Sequence, residues 1–588
     1  MSAFMEARER SDTNFMRPHL STPLLVFLSL AMPEAHAQVP SVPAPFELTR
    51  VLDIEQRRAV DVAIAPSDVS LSCDVLVVGG GLGGVAAAEA AARRGFSVVI
   101  VEPTRMLGGQ LTSQLVPVPD ENSHVEKEPG PSTKTYRALR QAVRDHYSAQ
   151  PGVKPGAGKN IGDCWVSRVS GLPDVWEKAI RDRLAPYEKS GAIRRVLMRH
   201  QLRSVTQYSG QERINYADIA SLETGKITRI GCRFLLDATE DGAALALAGS
   251  PFRVGQEAFS EFGESLAPGT ANPSWVQSFT YCFLMDWQAA PGPIPEKPAE
   301  YDYFKSLGEY TLDYIYRDKT EPYYVTYKVL EKAQASGRSY LPFWTYRRLI
   351  AASSFTGKQS PVGDLALINW RGNDFHEESY LDKPVDEQVR ILERGLNFAK
   401  GFAYWLQTEC PRDDDPTKRG YPEMQVPAED GWAIHPYIRE SRRLQARTML
   451  TQNHLRSTDS AAKWGTVFTD SVGCALYAMD IHPSKGEPPL LSVALPYHLP
   501  LGAFLPASGP VNILPAAKNF GASRLALASA RMHPTEFLAG EVAGSLAAFC
   551  LEKDLRDPSA VHDSPALLAE FQARLKAQGV MLRWDEIL

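Results

Sequence analysis

Residues 73–102 read CDVLVVGGGLGGVAAAEAAARRGFSVVIVE. Asp74 to Val78 has the character of a short buried strand, Gly83 to Arg94 that of an alanine-rich helix, and Ser97 to Val101 that of a second strand. Gly79, Gly81 and Gly84 fit the pattern G-x-G-x-x-G where strand passes into helix. They would serve, in order, a tight turn, close approach of the backbone to a pyrophosphate, and close packing of helix on strand. Phosphates would meet the helix N-terminus, whose free N–H groups and dipole favour anions. Glu102 ends the second strand, 18 residues after Gly84. A carboxylate there is placed to accept hydrogen bonds from a ribose 2′-hydroxyl, and it argues against a 2′-phosphate and hence against NADP. The pattern predicts a dinucleotide-binding unit, and its spacing leaves FAD and NAD both open.

With 588 residues, 44% of them hydrophobic, the chain has ample material for a core. Two large units are expected rather than many small ones. The net charge of −6 provides no basic footprint for nucleic acid. Seven cysteines stand singly at 73, 164, 232, 282, 410, 474 and 550, without the spacing of a zinc site, an iron–sulfur cluster or a redox dithiol. They read as small buried apolar residues, and no metal site is expected.

From Met16 the chain reads MRPHLSTPLLVFLSLAMPEAHAQ, with an arginine ahead of the apolar stretch Leu24–Met32 and small residues Ala35 and Ala37 ahead of Gln38. That layout predicts a signal peptide over 1–38, cleaved after Ala37, and a periplasmic or secreted enzyme with no integral membrane segment after cleavage. Translation from Met16 would account for the polar residues 1–15. No adjacent arginine pair precedes the apolar run, so a cofactor is expected to be loaded after translocation. The alternative is an N-terminal tail on a cytoplasmic enzyme.

Residues 39–70, proline-rich at first, read as a linker or an outer strand. Alternating segments from 193 to 236 suggest a meander of strands ending in a buried one. Between about 256 and 435 tryptophan, tyrosine and proline become frequent, as in YLPFWTYRRL (340–349). Trp275, Trp287, Trp344, Tyr346 and Trp370 suit a ring-containing or sugar-like ligand, and equally an ordinary large core. Strands return over 465–520, a strong helix is expected over 534–552, and a surface helix over 564–578.

Several further segments, in consistent order, join the glycine stretch: GGQLTSQ (108–114), CWVSR (164–168), LLDATEDGAALALAGSPFRVGQE (235–257), LINWRGND (367–374), IRESRRL (438–444), MDIHP (479–483) and NILPAAKNFGASRLALASARMHPTEFLAGEVAG (512–544). In these the chain resembles the bacterial FAD-dependent oxidoreductases related to the flavin-binding subunit of heterodisulfide reductase, some of whose members carry a xanthan-lyase label. The resemblance covers most of 73–550. It implies an α/β fold in which a Rossmann-like FAD-binding domain of the two-domain flavoprotein type, in two parts at 71–255 and 460–552, brackets an inserted α+β substrate domain at 256–459, with a helical tail at 553–588.

The resemblance implies FAD in the glycine site, held by Gly79, Gly81, Gly83, Gly84 and Glu102, by Gly108, Gly109 and Gln110, by Asp237, Ala238 and Thr239, by Lys518 and Asn519, and by Gly540. Such proteins usually have glycine after that threonine; this chain has Glu240. Small residues Ala539, Gly540, Ala543 and Gly544 would let a neighbour approach the helix closely. Catalytic candidates are His482, His435, Tyr497, Arg531 and His533, since flavin chemistry needs a base or acid for the substrate proton. Arg439 and Arg442 would hold an anionic group or form internal ion pairs, while Asn369, Asn373 and Asp374 would line a pocket or form a turn. The expected function is oxidation of a small organic substrate by hydride transfer to flavin N5, with oxygen or an external acceptor taking the electrons. Its rivals are a redox-neutral FAD-containing lyase or isomerase and a non-catalytic nucleotide-binding protein.

Overall fold

The computed structural model describes residues 49–318, 321–357, 363–415, 417–427 and 431–587. The expected signal peptide and the linker as far as residue 48 lie outside the described residues. The rest of that stretch, expected as a linker or an outer strand, carries two strands. β1 (Arg50–Asp53) and β2 (Arg58–Asp61) pair antiparallel as a hairpin. Val51, Asp53 and Ile54 are buried, so the hairpin has an inner face of its own.

The opening stretch forms β3 (Leu71–Val78), α1 (Leu82–Ala92) and β4 (Val98–Glu102). α1 stops two residues short of the expected Arg94, where Gly95 at φ 85° reverses the chain toward β4. Four strands follow: β5 (Ile193–Met198), β6 (His200–Gln207), β7 (Ile214–Ser221) and β8 (Ile227–Asp237). The expected meander is therefore only partly one. β6, β7 and β8 run antiparallel in sequence, but β5 pairs in parallel with β4 at the far edge. Arg199, at φ 58°, makes the turn that sends β6 away from β5.

The sheet runs β5-β4-β3-β8-β7-β6, and the closing strand Ile513–Pro515 joins β8 in parallel. Thus β3, β4, β8 and the closing strand end together, at Val78, Glu102, Asp237 and Pro515. In parallel sheets the crevice beyond those carboxyl ends is where ligands bind.

Every residue of α1 is buried, as is the closing helix His533–Glu552 from His533 to Leu551. An apolar sequence all round a helix demands cover all round, and these two helices cover each other. A Cβ on Gly540 would lie 1.8 Å from the Gly83 carbonyl oxygen, and one on Gly544 would lie 2.2 Å from that of Ala87. Gly540, expected to bind the cofactor, instead serves helix-on-helix contact with the dinucleotide helix, as does Gly544.

A second sheet, of strands Arg348–Ile350, Leu365–Ile368, Phe283–Trp287 and Met424–Gln425, packs near the long helix Val385–Thr408. Trp344 and Trp370 are core residues here. Trp370 contacts Tyr314, Tyr327, Phe343 and Tyr346 at ring-centroid distances of 5.0–5.6 Å. The seven cysteines are all buried and free. Among the described residues no helix is long and apolar enough to cross a membrane.

Candidate functional site

The glycines of the opening stretch stand where their spacing predicts. Gly79 has φ 102°, and a Cβ there would lie 2.1 Å from the Ala238 carbonyl oxygen; one on Gly84 would lie 1.9 Å from that of Gly79. The Gly80 N–H donates to Glu102 Oε2 at 2.8 Å, while Thr104 donates to Oε1 through its N–H at 2.9 Å and its hydroxyl at 2.6 Å. Gly79, Gly81, Glu102, Ala238 and Thr239 line one cavity.

Asp237 holds that cavity's floor without lining it. Its Oδ1 accepts from the Thr239 N–H and hydroxyl, and its Oδ2 from the Leu245 N–H at 2.7 Å. Burial pushes its carboxyl up to about 6. Asn519 is likewise a brace, donating from Nδ2 to the Asp237 carbonyl at 3.0 Å. Gly108, at φ 109°, and Gly109 bring the following loop against the glycine turn: a Cβ on Gly109 would lie 2.9 Å from Gly81 Cα.

Above this turn stands a polar cluster assembled from distant parts of the chain. Lys518 Nζ pairs with Glu240 and, at 3.2 Å, with Glu536. Glu536 also accepts from Gln110 Nε2 and from the Gly83 N–H at 3.3 Å. Glu536 was not among the residues singled out by sequence. A helical signal existed, because 536, 540 and 544 recur every four residues and so share the face turned to α1.

These residues fit a dinucleotide, with one adjustment. Gln110 Oε1, both polar atoms of the Gln114 amide, and Glu240 Oε1 are buried without a hydrogen-bond partner among the described residues. Glu240 Oε1 would lie 2.8 Å from a Cβ on Gly81, so this carboxylate rests on the glycine loop where a pyrophosphate belongs. Seating the phosphates requires Glu240 to turn away and release Lys518.

Burial holds the Glu102 carboxyl up at about 7, against the hydrogen bonds from Thr104 and Gly80. A buried acid shifted upward costs stability as pH rises from its ordinary range through that value. Ribose hydroxyls bind the ionised form more strongly, so nucleotide binding expels the proton. FAD affinity is therefore expected to rise with pH up to about 7, by at most about tenfold per unit, and then level off. In Glu102→Gln that dependence disappears. Dissociation constants measured between about pH 5 and pH 8 check this, and an unchanged slope in the variant would sink it.

Beyond the N-terminus of the closing helix lies an acid–base array. His482, with its side chain 19% exposed, donates from Nδ1 to Asp374 Oδ2 at 2.6 Å, and its Nε2 stands 3.5 Å from Asp480 Oδ2. Asp374 is fully buried, and Arg439 Nη2 lies 2.9 Å from its Oδ1. Burial alone would raise the Asp374 carboxyl, but Arg439 and His482 hold it well below the usual carboxylate range. Arg439 also donates to Asn369 Oδ1 at 3.3 Å. Arg531 donates to the Tyr437 hydroxyl at 3.1 Å and to the Asp480 carbonyl at 2.9 Å. The Arg531 carbonyl accepts from Gln110 Nε2 at 3.4 Å, which joins the array to the dinucleotide cluster.

Other sequence candidates lie elsewhere. His435 lines the dinucleotide cavity, its N–H donating to the Ser113 carbonyl at 3.0 Å and Nδ1 bonding the Pro436 carbonyl at 2.7 Å. Burial takes its imidazole down to about 4. His533 is a tether: Nδ1 accepts from the Asp120 N–H at 3.1 Å and Nε2 donates to the Val116 carbonyl at 3.3 Å. With both nitrogens engaged and burial taking it to about 4, it is a neutral brace. The Tyr497 hydroxyl accepts from Ser529 at 3.0 Å, on a strand buried against Ser471–Ala475. Arg442 pairs with Asp382, and Asn373 closes a turn on the Tyr281 and Ile368 carbonyls.

A larger cavity, about 520 Å³, adjoins at Tyr380, which lines both. Gln277 and Glu440 form part of its wall. Gln277 accepts from the His482 N–H at 2.9 Å and donates to Glu440 at 2.7 Å. Among the described residues no group of His, Cys, Asp and Glu is arranged to hold a metal ion.

A family model described as FAD dependent oxidoreductase matches residues 74–575. No curated protein sequence matches the chain. Among solved structures, a geranylgeranyl bacteriochlorophyll reductase-like protein from Thermoplasma acidophilum is 13% identical over 86% of this chain and 84% of its own, with a TM-score of 0.29. The adenylylsulfate reductase of Archaeoglobus fulgidus is 13% identical over 30% of this chain and 33% of its own, at 0.18. A 3-ketosteroid-Δ4-(5α)-dehydrogenase from Rhodococcus jostii is 14% identical over 31% and 48%, at 0.19. Likeness at this level says nothing of substrate.

Proposed function

Because the chain belongs to the FAD-dependent oxidoreductase family, we propose that it is an exported member, akin to the flavin-binding subunit of heterodisulfide reductase, that oxidises a small organic molecule at a carbon bearing a hydroxyl or amine. When bound, FAD supplies the acceptor for the hydride leaving that carbon. The chain's own residues handle the proton. Asp374 fixes His482 in the tautomer with hydrogen on Nδ1, which leaves Nε2 as the atom that accepts the proton from the substrate heteroatom. Arg439 keeps Asp374 ionised for that purpose, and Arg531 offers charge to an anionic substrate group. The 520 Å³ cavity behind Gln277 is of a size that suits a small ligand. Electrons then pass to oxygen or an external acceptor.

The observation that carries this reading is the Asp374–His482–Asp480 array, tied through Arg531 and Gln110 to the dinucleotide cluster. The test is anaerobic mixing of the mature protein, beginning at Gln38 and loaded with FAD, with panels of hydroxyl and amine compounds. Bleaching of the oxidised flavin band by one compound class supports the proposal. Conversion with the band unchanged would replace it with the lyase or isomerase reading. Failure to retain FAD would leave a nucleotide-binding protein of another kind.

A further inference from the structure

The β1–β2 hairpin precedes the residues matched by the family model. Leu52 and Ile54, on and just after β1, line the same cavity as Glu102, Pro103 and Leu202. The hairpin thus gives an apolar cover to the part of the site that holds the ribose-binding carboxylate. Apolar surface beside a hydroxyl-binding acid matches an adenosine: a flat purine joined to a sugar.

The hairpin is fastened at both of its ends. Asp53, fully buried, accepts from Arg199 Nη2 at 2.6 Å, at the turn between β5 and β6. The same guanidinium donates to the Pro103 carbonyl at 3.0 Å and to Glu55 at 3.3 Å. Glu55 also accepts from the Arg105 N–H at 2.9 Å and from the Arg105 guanidinium at 2.5 Å. At the other end Arg50 grips Asp386, in the first turn of the helix Val385–Thr408, with two bonds of 2.7 and 2.8 Å. The Asp53–Arg199 bond is the more buried fastening, and Asp53 accepts as well from Arg58 Nε at 3.2 Å. The Arg50 pair is exposed and contributes little.

We propose that this hairpin is a strap that closes over the adenosine end of the bound dinucleotide, setting the preference for FAD over FMN and slowing FAD release. The proposal rests on the reading that FAD adenosine lies on Glu102. An adenine dinucleotide leaves only after the hairpin lifts, whereas FMN, which lacks the adenosine, does not touch it.

The test compares binding of FAD, ADP and FMN to the full-length apoprotein and to Leu52→Ala/Ile54→Ala, with melting of each apoprotein as the control for folding. Loss of one large aliphatic contact weakens binding by about tenfold or more, so FAD and ADP are expected to weaken by at least that factor while FMN is unchanged. Should the double variant melt early, Leu52→Trp, which adds bulk at a half-buried position, is expected to exclude ADP and keep FMN. FAD and ADP binding equal to the native protein in a folded variant overturns the strap. So does a fall shared equally by FMN. A native protein that binds FMN but neither FAD nor ADP overturns the placement of adenosine itself, which is a different failure.

Discussion

Replacing His482 by alanine is expected to lower the rate of substrate-driven flavin reduction by about 10²–10⁴-fold, the usual contribution of a positioned general base. FAD affinity should hardly move, because the ring makes its bonds to Asp374 and Asp480 rather than to the dinucleotide cluster. Rapid anaerobic mixing reads the reduction rate directly. Two further signs separate a proton acceptor from a residue that merely shapes the pocket. The pH dependence of the rate should lose its acidic limb, the fall that comes from protonating the base, and added imidazole should restore part of the rate. A variant that reduces its flavin at the native rate would remove His482 from the chemistry.

Lys518→Met is expected to weaken FAD binding by about 10²–10³-fold. Lys518 is the cation between Glu240 and Glu536, and all three side chains are at least nine-tenths buried. Removing it leaves two carboxylates facing a pyrophosphate; breaking a buried pair costs about 3–5 kcal/mol. Glu240 is the partner that rests on the Gly81 loop. Adding Glu240→Gln to Lys518→Met should therefore recover much of the affinity, and Glu240→Gln alone should bind FAD more tightly than the native protein. Affinities of the two single variants and the double variant, taken as a cycle, measure that coupling. Native affinity in Lys518→Met would show that the phosphates are held elsewhere.

The dinucleotide unit was legible because its signals are local. A strand, a three-glycine turn, a helix and an acid all fall within residues 73–102, and short-range periodicity encodes each of them. The MDIHP and IRESRRL segments likewise pointed to His482 and Arg439, and both stand in the acid–base array. What those segments did not contain was the partner. Asp374, considered only as a pocket or turn residue in LINWRGND, turns out to be the buried carboxylate between them.

The residues whose roles changed all depend on neighbours remote in the chain. His533 and His435 look alike in sequence, each followed by proline. One is a tether for the Asp120 loop and the other a wall of the dinucleotide cavity, because of what folds against them. Residues 50–61 read only as a linker or an outer strand, because a two-strand hairpin carries little pattern of its own. It becomes a fixed element when Arg199 supplies the charge that Asp53 needs in order to be buried.

By itself, then, the sequence determined the α/β dinucleotide fold, the acid at the end of β4 and the face of the closing helix. Tertiary structure decided which charges share a low-dielectric site: Glu536 reaches the Gly83 N–H across 453 residues of chain. Such pairings cost nothing to write in a sequence and acquire their energy only when folding removes the water between them.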